Sequence, residues 1–459
     1  MQRTFHITTF GCQMNVADSD WLARSLVARG FREAPQDEAA VHILNTCSVR
    51  DKPEQKVYSE IGRIRSVTGD NPDILVCVGG CVAQQVGEAL FRRFRQVRLV
   101  FGTDGIASAP EAIARLVEEK RMRLSLLDFV EHFEERPLEW AGETTPPAAF
   151  VSIMQGCDNF CAYCIVPYVR GRQKSRSPEA ILEECQSLLE RGAREITLLG
   201  QNVNAYGLDR GEGPGAFGEL LYRVAALPNL LRLRFITPHP KDMGPEVVRA
   251  FAELPILAPR LHLPLQSGSD RILQRMGRRY DTARFMDLVR ELRFARPDIH
   301  FSTDVIVGFP GETEEDFAET LQFMREVGFV GSFSFAYSDR PGTRASLLAD
   351  KLDKQTKLDR LARLQAWQYA HARTVLDGMR GETVHVLLEG KAENKDPVPG
   401  AAYQTGREEH GHTVIVRVPP SPPRDGGVWE GRLVPVIVTG ASMHGLKGEM
   451  CGPETGCSG

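Results

Sequence analysis

The chain has 459 residues, too many for one ordinary domain, and its 42% hydrophobic and 25% charged residues match a soluble globular protein. A formal net charge of −4 neither demands nor excludes a nucleic-acid partner, for which a local basic face suffices. The start, Met1-Gln2-Arg3-Thr4-Phe5-His6-Ile7, is no signal peptide and no apolar run reaches the ~20 residues that span a bilayer, so the expectation is a cytoplasmic protein without a membrane, its ten cysteines not disulfide-bonded.

Three apolar runs near the N-terminus each lead into a cysteine. Phe5-His6-Ile7-Thr8-Thr9-Phe10-Gly11 precedes Cys12, Val41-His42-Ile43-Leu44-Asn45-Thr46 precedes Cys47, and Ile74-Leu75-Val76-Cys77-Val78-Gly79-Gly80 precedes Cys81. Helical patterns at 18–29 and 52–67 separate them. This alternation predicts a parallel α/β sheet with its functional loops at the carboxyl ends of the strands, where Cys12, Cys47 and Cys81 would converge. One such cysteine reads as a small core residue, as Cys77 does; three at equivalent strand ends read as ligands of one cluster. A flavodoxin-like cofactor domain is the rival, but the turns lack a phosphate-binding glycine loop. The polar stretch at 134–143, before Pro146-Pro147, reads as a linker and closes a first domain at 1–135.

From Ala148 a β-then-α pattern recurs six times, with strands expected at 150–154, 196–199, 231–236, 261–265, 300–307 and 331–337. Helices are expected at 178–191, where Pro178 follows Ser177, at 281–295 and at 313–327, where acids crowd the N-terminus. Repeated βα units imply a parallel sheet or barrel with chemistry in the loops after the strands. After the first strand comes Gly156-Cys157-Asp158-Asn159-Phe160-Cys161-Ala162-Tyr163-Cys164, a C-x3-C-x2-C loop that puts three thiolates on one small cluster. Cluster sites usually offer four cysteines, so three leave one iron of a [4Fe–4S] cluster open; zinc, which favours paired C-x2-C units, is the alternative. Glycine and polar residues mark the other strand ends: Gly200 and Gln201, then Gln266, Ser267 and Gly268, then Gly308 after Asp304. Cys185 sits on the apolar face of a helix and reads as core, His239 between two prolines as a turn residue, and the loop Arg340-Pro341-Gly342-Thr343 equally as a turn or a substrate-positioning loop.

A helix is expected at 351–373, with Leu352, Leu358, Leu361, Leu364 and Trp367 packing and Lys354, Lys357, Arg360 and Arg363 forming a basic ridge. From 382 to 440 the pattern changes to alternation, as in Val384, Val386 and Leu388 or Val434, Val436 and Val438, which predicts a small β-barrel at 377–446. Between Gly381 and Leu446 stand six basic residues against eight acidic ones, so an RNA surface would also need the basic ridge and Arg92, Arg93, Arg95 and Arg98. Residues 447–459, with Cys451 and Cys457, read as a flexible tail, and the proline loop at 419–423 has no role that follows from its residues.

The C-x3-C-x2-C loop, with Tyr163 before its third cysteine, resembles the signature of the radical S-adenosylmethionine (SAM) superfamily. Thr9-Phe10-Gly11-Cys12-Gln13-Met14-Asn15, Asn45-Thr46-Cys47-Ser48-Val49-Arg50 and Gly79-Gly80-Cys81 resemble the N-terminal domain of the methylthiotransferases. The chain is thus similar, from about residue 3 to 446, to the radical SAM methylthiotransferase family. That resemblance implies a central partial (β/α)6 TIM barrel at 143–374 and a C-terminal TRAM module that binds tRNA. It implies two [4Fe–4S] clusters, on Cys12, Cys47 and Cys81 and on Cys157, Cys161 and Cys164, with SAM lined by Tyr163, Gly200, Gln201, Gln266, Ser267, Asp304 and Gly308. It assigns no side chain as a catalytic acid or base.

The reaction implied converts C–H to C–S–CH3. Words such as Leu198-Leu199-Gly200-Gln201-Asn202-Val203-Asn204 and Leu263-Pro264-Leu265-Gln266-Ser267-Gly268-Ser269-Asp270 look most like the branch that modifies N6-isopentenyladenosine at position 37 of tRNA. The alternatives are threonylcarbamoyl-adenosine, a ribosomal-protein aspartate and, in a different class, an iron–sulfur RNA-binding regulator that never turns over. Expected partners are the tRNA anticodon stem-loop, an electron donor such as flavodoxin or ferredoxin, and iron–sulfur and sulfur supply proteins, the chain itself acting as a monomer.

Overall fold

The computed structural model describes residues 3–48, 53–69, 71–140, 145–393, 398, 400–420, 423, 426–442 and 445–451. The first domain is a six-stranded parallel sheet in the order Arg32–Glu33, Thr4–Thr9, Val41–Thr46, Leu75–Gly80, Val97–Phe101 and Leu124–Leu126. Val41–Thr46 and Leu75–Gly80 are buried along their whole length, as near-continuous apolar runs in a two-sided parallel sheet must be. The three strands that end in cysteines are neighbours, as expected. Two cysteine-free strands and the helix Ala109–Glu118 extend the sheet beyond them. The sequence reverses direction between Thr4–Thr9 and Val41–Thr46, the switch point of a flavodoxin-like order, and Cys12 and Cys47 stand at that point.

The middle domain has all six expected strands. Ala148–Ser152, Glu195–Leu199 and Arg232–Phe235 form one parallel half, and Arg260–His262, His300–Val307 and Gly331–Ala336 the other. A parallel bridge between Leu233 and Leu257 joins the halves into an open barrel, leaving Ala148–Ser152 and Gly331–Ala336 as edges. Local chemistry sets the helix starts: Ser177 Oγ accepts from Ala180 N–H ahead of Pro178, and Thr313 and Asp316 form a capping box. Cys77 and Cys185 are fully buried in the cores, and His239 is buried with Nδ1 accepting from Lys241 N–H, the turn role expected of it.

The helix Lys354–Gly378 starts at the Asp353 cap and packs Leu364 and, partly, Leu361 and Trp367 against the barrel, whereas Leu358 is exposed. The basic ridge is corrected. Arg360 is buried against Glu312 (2.6 Å), and Lys357 lies over Gly308 and donates to Tyr337 O, because the helix turns this side toward the barrel. Arg98 is likewise buried, capping the helix carbonyls of Leu116 and Glu119, so it leaves the proposed RNA surface.

The third domain is a closed five-stranded barrel, Thr383–Lys391, Ala402–Arg407, Thr413–Val418, Gly445–Met450 and Leu433–Ser442 in order around it. The last strand carries the barrel to Met450, so the tail begins later than expected, with Gly448 buried where a Cβ would meet Val436. Cys451 follows directly and donates its N–H to Pro435 O. Cys457 and part of the proline loop lie outside the described residues. No helix among the described residues is long and apolar enough to cross a membrane.

Candidate cluster and cofactor site

The first thiol trio is built by glycine and asparagine. At Gly11, with φ +129°, a Cβ would fall 2.2 Å from Cys47 Cβ; at Gly80, with φ +87°, it would fall 2.4 Å from Thr46 O. Only glycine lets the three strand ends close together here. Asn15, one turn into the helix that Cys12 caps, donates to Asn45 Oδ1 (2.8 Å) and Thr46 O (3.0 Å), and its own oxygen accepts from Cys12 Sγ (3.3 Å). Cys47 and Cys81 are buried. A hydrogen bond with Cys47, helped by the Arg170 charge, draws the Cys12 thiol down to about 5 against the opposing effect of burial.

Arg170 comes from the middle domain, directly after the helix Val166–Val169 that follows the cysteine loop. It is 3% exposed, donates to Asn15 Oδ1 (3.3 Å) and lies 3.8 Å from Asp18, with its charge felt at Cys81 and Cys12. Its Nη1 has no well-formed hydrogen bond. Ile165 and Val169 pack on Cys81, and Thr103 donates to Val169 O (3.0 Å), so the two thiol trios lie across one domain junction. The buried Lys174–Asp104 pair and Gln155, which reaches Asp104 and Thr103, pin that junction.

The second trio lies on one loop. Gly156, with φ +80°, passes Arg172 O where a Cβ would be 2.0 Å away, and its N–H donates to Gln201 Oε1 (2.6 Å). Rim segments bracket the loop: Ala162 N–H donates to Met276 O, Ala345 N–H to Ala162 O, and Arg344 to Phe160 O. Burial pushes the Cys157 thiol up and Cys164 up to about 12. Beside them the buried Arg278 guanidinium stands 3.5 Å from both Cys161 Sγ and Tyr163 Oη.

This donor set fits iron–sulfur clusters. Each site offers three thiols and a buried guanidinium to balance thiolate charge, one of them with an N–H to spare. Among the described residues no group of three or more His, Cys, Asp or Glu is placed to hold a single metal ion.

The other expected cofactor residues share the rim, with different tasks. Gly200 is required by packing, since a Cβ would meet Met154 Cγ at 2.6 Å, and Gln201 spends its oxygen on the cysteine loop. Ser267 Oγ meets Thr320 Oγ1 and accepts from Ser269 N–H, so its hydroxyl holds the turn. Gln266 adopts φ +69° and is tied through its backbone to Asp304 and Ile306. Asp304 lies 3.4 Å from His262 Nε2, and Gly308, with φ +68°, donates to Glu312 Oε1. Tyr163 packs against the small apolar cluster that includes Ala162, Met276 and Phe309. Burial and neighbouring cations press His239 down to about 2. The residues not foreseen are Arg170, Arg278, Asn15 and Asn45; the basic run Arg170-Gly171-Arg172-Gln173-Lys174 right after the cysteines was the available signal.

Residues 151–324 match the radical SAM superfamily, and residues 4–102 match the uncharacterized protein family UPF0004. A tRNA-2-methylthio-N(6)-dimethylallyladenosine synthase of Nitratidesulfovibrio vulgaris is 60% identical, covering 98% of this chain and 99% of its own. Proteins of that name from Lawsonia intracellularis and Trichlorobacter lovleyi are 50% and 42% identical over the same shares. Among solved structures, the radical SAM methyltransferase TsrM of Kitasatospora setae, with tryptophan and a SAM analogue bound, aligns with a TM-score of 0.56 at 18% identity over 75% of each chain, a likeness of fold. By these identities the chain belongs to the tRNA-2-methylthio-N(6)-dimethylallyladenosine synthases, a radical SAM enzyme family.

Proposed function

We propose that this chain converts N6-isopentenyl (dimethylallyl) adenosine at position 37 of tRNA to its 2-methylthio derivative, consuming one SAM as radical source and one as methyl donor. The observation that carries this reading is the domain junction at which both trios lie: Ile165 and Val169, just after Cys164, pack on Cys81, and Arg170 of the middle domain brings its charge beside Cys81 and Cys12 of the first. Cys157, Cys161 and Cys164 would hold one [4Fe–4S] cluster and leave an iron for the amino and carboxylate groups of SAM; Cys12, Cys47 and Cys81 would hold the second. When bound, the clusters and SAM supply reductive cleavage to a 5′-deoxyadenosyl radical and a sulfur for transfer.

The chain's own residues do the rest. Gln201 fixes the cysteine loop through Gly156, Asn15 ties the strand ends of the first trio, and Arg170 and Arg278 balance buried thiolate charge. Tyr163, Gly200, Gln266, Ser267, Asp304 and Gly308 shape the rim that SAM would occupy. The working units are a cluster-binding domain at 1–135, a radical SAM core at 143–374 and an RNA-binding barrel from 377 that runs to Met450. An electron donor of the flavodoxin or ferredoxin kind, the anticodon stem-loop as substrate and a cytoplasmic location complete the proposal.

Nucleoside mass spectrometry of tRNA from cells with and without the gene tests it. Loss of the methylthio group from the isopentenyl nucleoside is expected. Loss from threonylcarbamoyl-adenosine instead, with the isopentenyl form untouched, overturns the substrate assignment.

A further inference from the structure

The barrel's last strand, Gly331–Ala336, wears its polarity inside out. Ser332 and Ser334 are half-buried, while Phe333 and Phe335 are 62% and 45% exposed. Single exposed aromatics are ordinary. Two on the same face of one strand, with serines on the protein side, are not. Their register partners on His300–Val307 are Asp304 and Ile306, whereas the alternate residues Val305 and Val307 are buried in the core beneath the helices. The phenylalanines therefore share the concave face of the half-barrel with Asp304 and Ile306.

This face is continuous with the site already described. The Phe333 ring stands edge-on to His262 at 5.9 Å, and His262 bonds Ser302 Oγ (3.1 Å) and approaches Asp304. Ile306, opposite Phe335, packs against the same small apolar cluster as Tyr163, the residue before the third cysteine of the radical SAM loop. Phe333, Phe335 and Ile306 thus place apolar groups on the face that leads from the open edge of the barrel toward the cluster loop, with His262 and Asp304 beside them. The strand has no neighbour on its far side, so a substrate can reach this face.

We propose that Phe333 and Phe335 form the apolar seat for the dimethylallyl group of the target adenosine and make the enzyme prefer the prenylated base. This rests on the substrate reading of the preceding subsection. The occupant follows from chemistry. A branched five-carbon group matches apolar neighbours, while a threonylcarbamoyl group would bring its carboxylate against the anion that stands there, Asp304.

The test uses full-length, cluster-loaded enzyme and two anticodon stem-loop RNAs, one with adenosine and one with N6-dimethylallyladenosine at the target position. Equilibrium Kd for both RNAs and kcat/KM for methylthio product are measured for wild type, Phe333→Ala, Phe335→Ala, Phe335→Leu and Phe335→Gln, with iron content as the check on folding. For the alanine variants the preference for the prenylated RNA should shrink by roughly 10–200-fold, with most of it retained in Phe335→Leu. An unchanged ratio of the two Kd values in the alanine variants, or an equal loss on both RNAs, overturns the seat. If an alanine variant loses iron, the ratio for the polar substitution Phe335→Gln, at a position that is already 45% exposed, decides: a reduced preference supports the seat and an unchanged one refutes it. Wild-type enzyme that yields no product from the prenylated RNA refutes the preceding reading instead, independently of the variants.

Discussion

The central barrel buries arginines at both ends, and the two ends do different things with them. At the amino ends of its strands, Arg232 donates to Arg407 O and His385 O, Arg234 to Glu408 O and Arg260 to His410 O, with Glu195 pairing Arg232 and Arg234. The hairpin at 407–412 of the third domain fills this end, and its Glu408 is fully buried. At the carboxyl ends, Arg170 keeps an N–H free among thiols, and Arg278 points at Cys161. One end spends its cations wholly on carbonyls and carboxylates; at the other, Arg278 also donates to Pro264 O and Tyr280 Oη and Arg170 lies near Asp18, yet both stand beside thiols. That matches the division in βα barrels between a stabilising amino face and a reactive carboxyl face.

The largest effects should come from the thiols. Replacing Cys157, Cys161 and Cys164 together with Ala should leave about half the iron and abolish 5′-deoxyadenosine formation from SAM. The same change at Cys12, Cys47 and Cys81 should also leave about half the iron, yet retain SAM cleavage while abolishing methylthio product. Iron analysis and chromatography of the nucleoside products check both. Complete loss of iron from the first variant would mean that the strand-end trio holds no cluster of its own, and the contrast between the barrel's two ends would lose its chemical half.

Next in size is the effect of the buried guanidiniums. Positive charge and N–H donors near cluster sulfurs raise a reduction potential. Arg170→Met should therefore move the potential of one cluster to more negative values and Arg278→Met that of the other, in a titration followed by electron paramagnetic resonance. Loss of charge-assisted bonds such as that from Arg170 to Asn15 should also cost about 1.5–3 kcal/mol of stability. If Arg170→Met destabilises the protein but moves neither potential, Arg170 is a staple between domains, like the arginines at the opposite end.

The cysteines were legible because both trios sit after apolar strand runs, and at Gly11 and Gly80 the preceding glycine is demanded by the approach of a neighbouring strand end. Arginines were read badly for one reason: a charge in sequence carries no sign of its tertiary partner. Arg98 and Arg360 look in sequence like a solvated face or at most part of an RNA surface, and are buried on helix carbonyls and on Glu312. Arg170 and Arg278 drew no attention and stand beside the sulfurs. Val97–Phe101 and Leu124–Leu126 were passed over because no cysteine marked them, although the first is an unbroken apolar run but for Arg98. The inverted strand holding Phe333 and Phe335 was found as a strand, but only its neighbours reveal which face is open.

Glu408→Gln tests the stabilising end. It removes the charge that accepts from His410 Nδ1 (3.0 Å) and from the N–H groups of His410 and His412. It leaves Arg234 and Arg260 with less compensation. A loss of roughly 3–5 kcal/mol from the docking of the third domain is expected, read as accelerated proteolysis near Gly381. SAM cleavage measured without RNA should survive, since this residue lies at the far end of the barrel from the thiols. Loss of that cleavage together with intact docking would break the separation of the two ends.

The smallest effect is the pH dependence of the same contact. Burial first, then neighbouring cations and histidines, depress His412 from 6.5 to about 4 and His300 to about 3. The unfolded chain therefore binds protons there that the folded one refuses, and stability rises with pH between those values and 6.5. His410 runs the other way. Burial lowers it, but the hydrogen bond and charge of Glu408 hold it above 6.5, so its contribution is full below 6.5 and fades as pH rises through the folded value. Glu408 itself, pulled to about 2 by His410 and His412 in spite of burial, loses its contribution only as pH falls below 4.5. Arg260, Arg234 and Glu409 face the same cluster. The melting temperature of the third domain should therefore fall as pH drops from about 6.5 to about 4 and decline more gently above 6.5. In His410→Gln the alkaline decline should vanish and the acid one remain. A melting temperature flat across the acid interval would show that His300 and His412 are not held neutral by docking, and that the hairpin does not seal this end of the barrel.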